Sequence, residues 1–294
     1  MSGIVDVTPE LLAGWPLPVM AEGGDKDDRG RVLVLAGGAQ VAGATLLTAL
    51  AALRAGAGKL QIAAPRSLAT ALALAIPEAR VVPAAETAAG ELASEAADDI
   101  LQLLGRCDAC VIGPGMLDEG AAGELALRLL EGEGPAMVVD AAAMGGLMEA
   151  PERVRARGGR MVLTPHAGEM AALSGLAKDA VQADPLGAAR DAARRLKAVI
   201  VMKGATTHVV TPDGQAWRHT GGVKGLATSG SGDVLAGIIC GLLARGASPA
   251  QAAVWSVYAH GRAGARLTAR IAPMGFLARE LLDEIAPVLA QVEP

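Results

Sequence analysis

Six continuous apolar runs of strand length recur along this 294-residue chain: "RVLVLAGG", "KLQIAAP", "ACVIGPG", "AMVVDAA", "RMVLTPH" and "AVIVMKG". A strand with one wet face alternates apolar and polar residues. Unbroken runs are what strands covered on both faces require. Between the runs lie alanine- and leucine-rich segments that read as helices: Ala44 to Ala55, Leu68 to Ala75, Glu91 to Leu104, Ala121 to Leu130 and Gly187 to Lys197. Strands alternating with helices predict a parallel α/β sheet with helices on both sides and right-handed crossovers. After Lys203 the pattern changes, and "THVVTPDGQAWRHT" offers two short strand-like runs around Asp213-Gly214, a hairpin signal. From Gly232 onward the chain reads mostly helical, with Val234, Leu235, Ile238, Ile239, Leu242 and Leu243 on one stripe and a long segment through Leu267. No linker, charge run or fixed repeat divides the chain, so one domain over 1–294 is expected.

Composition narrows the function classes. With 52% hydrophobic and 19% charged residues, the chain can bury a large core and does not belong with disordered sequences. The net charge is −5, there is no Lys/Arg block, and the few aromatics are scattered, which argues against nucleic acid as a partner. The N-terminal stretch carries Asp6 and Glu10 where a signal peptide has a basic region. The longest apolar stretch of the whole chain, Val234 to Ala244, is interrupted by Gly237 and Gly241 and falls short of the ~20 residues of a membrane span. A soluble, cytoplasmic protein without a membrane partner is therefore expected. Cys107, Cys110 and Cys240 cannot build a disulfide framework. "CDAC" has redox spacing but reads as the start of a buried strand rather than a helix N-terminus that would activate a thiol.

In an open parallel sheet, ligands bind beyond the carboxyl ends of the strands. Several apolar runs end there in reactive or turn-forming residues: Gly37-Gly38, Gly113-Pro114-Gly115, Asp140, Thr164-Pro165-His166 and Lys203-Gly204. "GGAQVAGAT" nearly spells a P-loop, but Ala44 and Thr45 stand where the lysine should be, and G-x-G-x-x-G is also absent. The segment is either a tight strand-to-helix turn or a substrate-contacting loop. In "LTPHAGEM", His166 and Glu169 would share one side of a helix, Thr164 can cap it and Pro165 suits its first turn. His166 then either touches a substrate or is structural, and Glu169 completes a capping arrangement. Lys203 ends its strand as a snorkelling cation or as a partner for nucleotide phosphates.

"TSGSGDVLAG" is the strongest signal. Gly230 and Gly232 free the backbone to aim successive N–H groups, Ser231's among them, at one point, and a helix from about Asp233 adds its positive dipole end. Anion binding follows from that geometry. Asp233 could merely complement the helix dipole, but beside an anion cradle a carboxylate can also take a proton from a hydroxyl that attacks a phosphoryl group. That chemistry is hydroxyl phosphorylation by a nucleotide.

"SGSGDVLAG" resembles the G-A-G-D anion hole of ribokinase-like kinases, with Ala227-Thr228 ahead of it where sugar kinases carry Asp-Thr. The Ala-Thr version is similar to the ADP/ATP-dependent NAD(P)H-hydrate dehydratases, and "VIGPGM", "VVDAAAM", "LTPHAGEMAAL", "VMKGATT" and "YAHGRAGARL" follow that family's order from about Lys26 to the C-terminus. The resemblance implies a ribokinase-like three-layer α/β/α fold with a mainly parallel sheet, residues 1–25 being an N-terminal extension. It implies repair of hydrated NADH or NADPH: ADP or ATP phosphorylates the 6-hydroxyl of the nicotinamide ring, with Mg2+ bridging phosphates, and phosphate is then eliminated. Carried over, Asp233 is the base and Gly230, Ser231 and Gly232 form the anion hole. Gly43, Ala44, Gly115 and His166 would touch the hydrate with Asp233. Lys203, Gly204, Ala205, Thr206, Thr207 and Gly232 would hold the nucleotide. No metal ligand is assigned, and self-association into a homo-oligomer, with a tetramer as the state considered, is expected.

The chain departs from that family at three places. Gly222-Val223-Lys224-Gly225-Leu226 replaces G-N-P-G-M, Asp140-Ala141-Ala142-Ala143-Met144 replaces D-A-D-A-L, and Asp25-Lys26-Asp27 replaces His-Lys-Gly. Two other readings remain open on sequence: a vitamin-precursor kinase of the same fold, and a nucleotide-binding module without catalysis.

Overall fold

The computed structural model describes residues 3–19, 23 and 25–293. Its ten strands are β1 (Ile4–Asp6), β2 (Arg31–Leu35), β3 (Lys59–Pro65), β4 (Ala79–Ala84), β5 (Ala109–Ile112), β6 (Ala136–Val139), β7 (Met161–Leu163), β8 (Val199–Met202), β9 (Thr207–Val210) and β10 (Ala216–His219). They form one sheet in the order β1-β10-β9-β8-β7-β6-β5-β2-β3-β4. From β4 to β8 all neighbours are parallel; β9 runs antiparallel to both β8 and β10. The six apolar runs became β2, β3, β5, β6, β7 and β8, and the Asp213-Gly214 signal sits in the turn between β9 and β10.

The pleat explains why the runs are continuous. In β2, Val32 and Val34 face one core while Leu33 and Leu35 face the other, and all four are fully buried. The first core is capped by the helices Ala42–Arg54, Ser231–Ala244, Pro249–Arg270 and Ala278–Leu289. The second is capped by Ala97–Leu104, Glu119–Leu129, Ala167–Ser174 and Pro185–Leu196. The chain is thus an α/β/α sandwich.

Several boundaries differ from the sequence expectations. The helix expected from Glu91 begins at Ala97, because Glu91 and Leu92 instead make isolated bridges to Gly38 and Glu86. β4 was hidden by mixed burial, and β1 by its brevity and exposure. The N-terminal extension is described except for residues 1, 2, 20–22 and 24, which lie outside the described residues. β1 within it pairs with β10, Trp15 stacks on Trp217 with ring centroids 5.7 Å apart, and the Trp15 carbonyl accepts from the Trp255 indole at 2.9 Å. Cys110 lies inside β5, and burial pushes its thiol well above the ordinary range; burial pushes the Cys107 thiol up to about 11. Neither is placed for redox chemistry at neutral pH.

Chain order reverses at β2, which lies between β3 and β5. The loops leaving β2 and β5 therefore diverge to opposite sides and open a crevice between them. The Gly37 N–H still reaches the Pro114 carbonyl across it, at 2.7 Å.

Candidate active site

Gly230 caps the Ser231–Ala244 helix in the left-handed region, at φ 88°. A Cβ there would stand 2.5 Å from Leu47 Cδ1, the tip of a side chain that can shift, so it is the left-handed backbone that calls for glycine. The helix begins at Ser231, two residues earlier than Asp233. The Ser231 N–H is already spent on the Thr228 carbonyl at 3.3 Å, leaving the Gly232 and Asp233 N–H groups as free donors of the first turn among the described residues. Of the donors expected from Gly230 to Gly232, the Ser231 N–H is the one that is spent, and the Asp233 N–H stands beside the others. Behind them lies the half-buried His260, a residue not singled out in the sequence. Its Nε2 stands 2.9 Å from Ser231 Oγ and 3.0 Å from the Ser231 carbonyl. Burial depresses its pKa to about 4, so the ring is neutral near pH 7. A contact to a carbonyl requires Nε2 to carry the proton, so His260 fixes the first turn as a donor.

Lys203 leaves β8 beside this turn. Its Nζ donates to Asp140 Oδ1 at 2.9 Å and lies 3.4 Å from Glu169 Oε2. Burial works against the ammonium, but these two carboxylates outweigh it and hold the lysine pKa above its ordinary value. A Cβ on Gly232 would sit 3.6 Å from the same Nζ, so the cation stands directly over the helix's first turn. Asp140, at the end of β6, is buried and also accepts from the Thr164 hydroxyl. Thr164 therefore does not cap the next helix. His166 does, accepting from the Glu169 N–H at 3.0 Å while Glu169 Oε2 accepts from the His166 N–H at 2.7 Å. Ala141, adjacent to Asp140, has φ +48°, an uncommon conformation for a residue with a Cβ. Such departures persist where surrounding contacts over-determine them.

Asp233 belongs to the same electrostatic group. Burial first, and then the charge of Asp140, push its carboxyl up to about 6, with Lys203 pulling the other way. A base that titrates there is ionised at neutral pH yet more proton-hungry than an exposed aspartate.

A cleft of about 620 Å³ opens onto this turn. It brings together His166, Lys203, Gly204, Ala205, Thr207, Ser231 and Gly232; its inner wall is apolar, with Leu226, Leu235 and Val257. Among the described residues the ionised side chains lining it are Lys203, paired with Asp140 and Glu169, and Lys224, so its lining offers ammonium donors and an apolar wall. Thr206 lies in the turn between Lys203 and Thr207, at the same strand ends. A second cleft of about 510 Å³, lined by Met116, Met144 and Glu169 among others, meets the first at His166. Gly43, Ala44 and Gly115 line neither cleft and gather at the β2/β5 crevice, where a Cβ on Gly115 would collide with Ala44. Ala44 and Leu47 are one turn apart on one helix, so that helix spans from Gly115 to Gly230.

Comparison with known proteins fits this geometry. A family model described as NAD(P)H-hydrate dehydratase matches residues 32–287. The chain is 47% identical, over 96% of its length and 95% of the relative, to an ADP-dependent (S)-NAD(P)H-hydrate dehydratase of Xanthomonas campestris. Relatives named bifunctional NAD(P)H-hydrate repair enzymes are longer, and the chain spans about half their length. Among solved structures, it superposes with a TM-score of 0.83 and 27% identity, covering both chains completely, on an ADP/ATP-dependent NAD(P)H-hydrate dehydratase of Bacillus subtilis co-crystallised with ATP/Mg2+. A ribokinase-like superfamily protein of Enterococcus faecalis matches at a TM-score of 0.82 over 100% of this chain and 98% of that one; at 23% identity it shows the fold, which is ribokinase-like.

Proposed function

We propose that this chain, which belongs to the NAD(P)H-hydrate dehydratase family, repairs hydrated NADH or NADPH with ADP or ATP as phosphoryl donor, using Asp233 as the base. The observation that carries the assignment is the pairing of a half-buried carboxylate, titrating at about 6, with free N–H groups of a helix first turn and a lysine ammonium over them.

Asp233 takes the proton of the 6-hydroxyl as that oxygen attacks the terminal phosphoryl group. The new O–P bond forms while the bond from phosphorus to the departing nucleotide breaks. Charge developing on the phosphoryl oxygens meets the Gly232 and Asp233 N–H groups and the dipole of the Ser231–Ala244 helix, with Gly230 and Ser231 shaping the turn. In the second stage the C6–O bond breaks, the neighbouring ring carbon loses a proton, the double bond returns and phosphate leaves. Lys203 and Gly204 to Thr207 hold the nucleotide; Gly43, Ala44, Gly115 and His166 hold the hydrate.

Among the described residues no three His, Cys, Asp or Glu side chains cluster as a metal site, and Asp140 Oδ1 is occupied by Thr164 and Lys203. The donor set does not make a magnesium cage, so the ion enters as part of the nucleotide substrate, on its phosphates. The reaction belongs to the cytoplasm in this reading: the described cysteines are unpaired, and no helix among the described residues is long and apolar enough to cross a membrane.

Incubating the protein with the hydrate, magnesium and each nucleotide in turn should restore dihydronicotinamide absorbance and release inorganic phosphate stoichiometrically. No recovery with either nucleotide, or a phosphorylated product that persists, would sink the dehydratase reading.

A further inference from the structure

Glu91 is a buried acid, 6% exposed, that plays no part in the chemistry above. It has no ion pair among the described residues. Its oxygens instead accept from backbone N–H groups: Leu117 at 3.0 and 3.1 Å and Asp118 at 3.1 Å. Both donors lie just beyond Gly115, in the loop leaving β5. The backbone around Glu91 grips the other side of the crevice, since Glu91 bridges Gly38 and the Gly90 carbonyl accepts from the Ala39 N–H at 2.9 Å. The contact is close enough that a Cβ on Gly38 would lie 2.6 Å from Glu91 Cγ. A tight turn holds the glutamate itself, with Thr87 donating to its carbonyl at 2.8 Å and accepting from its N–H at 3.3 Å.

We propose that Glu91 is a positioning residue that clamps the two loops of the β2/β5 crevice together, and so holds Gly115 against Ala44 as the surface on which the hydrated ring would rest. The inference rests on the reading that those residues touch the hydrate. Loops that diverge from a switch point are joined here directly by the Gly37–Pro114 hydrogen bond, and Glu91, with backbone donors to its carboxyl group on one side and a backbone bridge on the other, adds a second tie. The nucleotide cleft lies at the far side, beyond β7 and β8, and does not touch this clamp.

The test uses Glu91→Gln, which keeps the shape but turns an amide donor toward backbone donors, and Glu91→Asp, which keeps both oxygens on a shorter stem. Hydrogen exchange should accelerate at Leu117 and Asp118, and also at Ala39, in Glu91→Gln by at least about tenfold, with Glu91→Asp between it and the parent. The KM for the hydrate should rise by about tenfold while kcat and the KM for the nucleotide stay within about twofold. Faster exchange confined to Leu117 and Asp118, with Ala39 unchanged, would overturn the clamp. An unchanged hydrate KM alongside faster exchange at all three would overturn its positioning role. A parent protein that fails to turn over hydrate would instead count against the dehydratase reading, leaving the exchange result to decide the clamp on its own.

Discussion

Asp233 faces opposed demands from folding and from chemistry. Its carboxyl titrates at about 6 in the fold against 3.8 for a free aspartate, so the folded state favours the protonated form. Stability from this group is fully present below pH 3.8 and is lost as pH rises through about 6. Asp233→Asn should therefore be more stable than the parent at about pH 8, by on the order of 2 kcal/mol, with the gap closing in acid; urea titrations at both pH values measure it. The same variant should lose about 10²–10⁴-fold in turnover while keeping nucleotide affinity, because the N–H donors survive. Ordinary activity in that variant would refute the base assignment. In the parent, kcat/KM should fall below pH about 6 as Asp233 protonates. Removing the Asp140 charge in Asp140→Asn should move that limb to lower pH, since Asp140 raises the Asp233 pKa while the Lys203 it releases lowers it. A limb that stays put would show the two carboxyls to be uncoupled. Asp233 and Lys203 were legible in the sequence because each ends an apolar run or a glycine loop. The Thr164 and Glu91 roles were not, because their partners lie 24 and 26 residues away and no local spacing encodes them.

At the scale of the element, the first turn of the Ser231–Ala244 helix makes its two glycines separable. Gly230 has a left-handed backbone and a Cβ there would press on Leu47, so Gly230→Ala should destabilise the fold by about 1–3 kcal/mol as well as misdirecting the turn. At Gly232 a Cβ would meet only Lys203 Nζ, at ordinary contact distance. Gly232→Ala should leave the melting temperature within a few degrees of the parent, an effect of no more than about 0.5 kcal/mol, while filling the space the phosphoryl group needs. Calorimetric nucleotide titration checks this: tight binding by Gly232→Ala would contradict the placement of the phosphate. From the sequence both glycines looked alike, since composition reports that a loop is permissive and only the backbone angles report which residue uses the permission.

Across the whole molecule, the first turn of the Ser231–Ala244 helix is held in place by the helix behind it. A Cβ on Gly237 would collide with the Thr48 carbonyl, and one on Gly241 with the Ala52 carbonyl, so the Ser231–Ala244 and Ala42–Arg54 helices meet backbone to backbone. Gly237→Val should then cost about 3 kcal/mol or more and weaken nucleotide and hydrate binding together, because the displaced helix carries the anion turn and its partner carries Ala44. Equilibrium unfolding combined with both binding assays would test it; a fully stable variant would argue against the close approach. Self-association remains an expectation, and light scattering at working concentration measures it directly. The continuous apolar runs by themselves determined the layered, mainly parallel sheet, because a strand buried on both faces must be apolar throughout. The glycine loop likewise determined where unpaired donors gather, because helix N-termini present unpaired N–H groups whatever surrounds them. Tertiary structure alone decided that Lys203 would be shared between Asp140 and Glu169, that Asp233 would titrate near neutrality, and that Glu91 would tie two loops across a crevice. Each of those depends on burial and on partners far apart in the chain, which a linear pattern of residue types does not record.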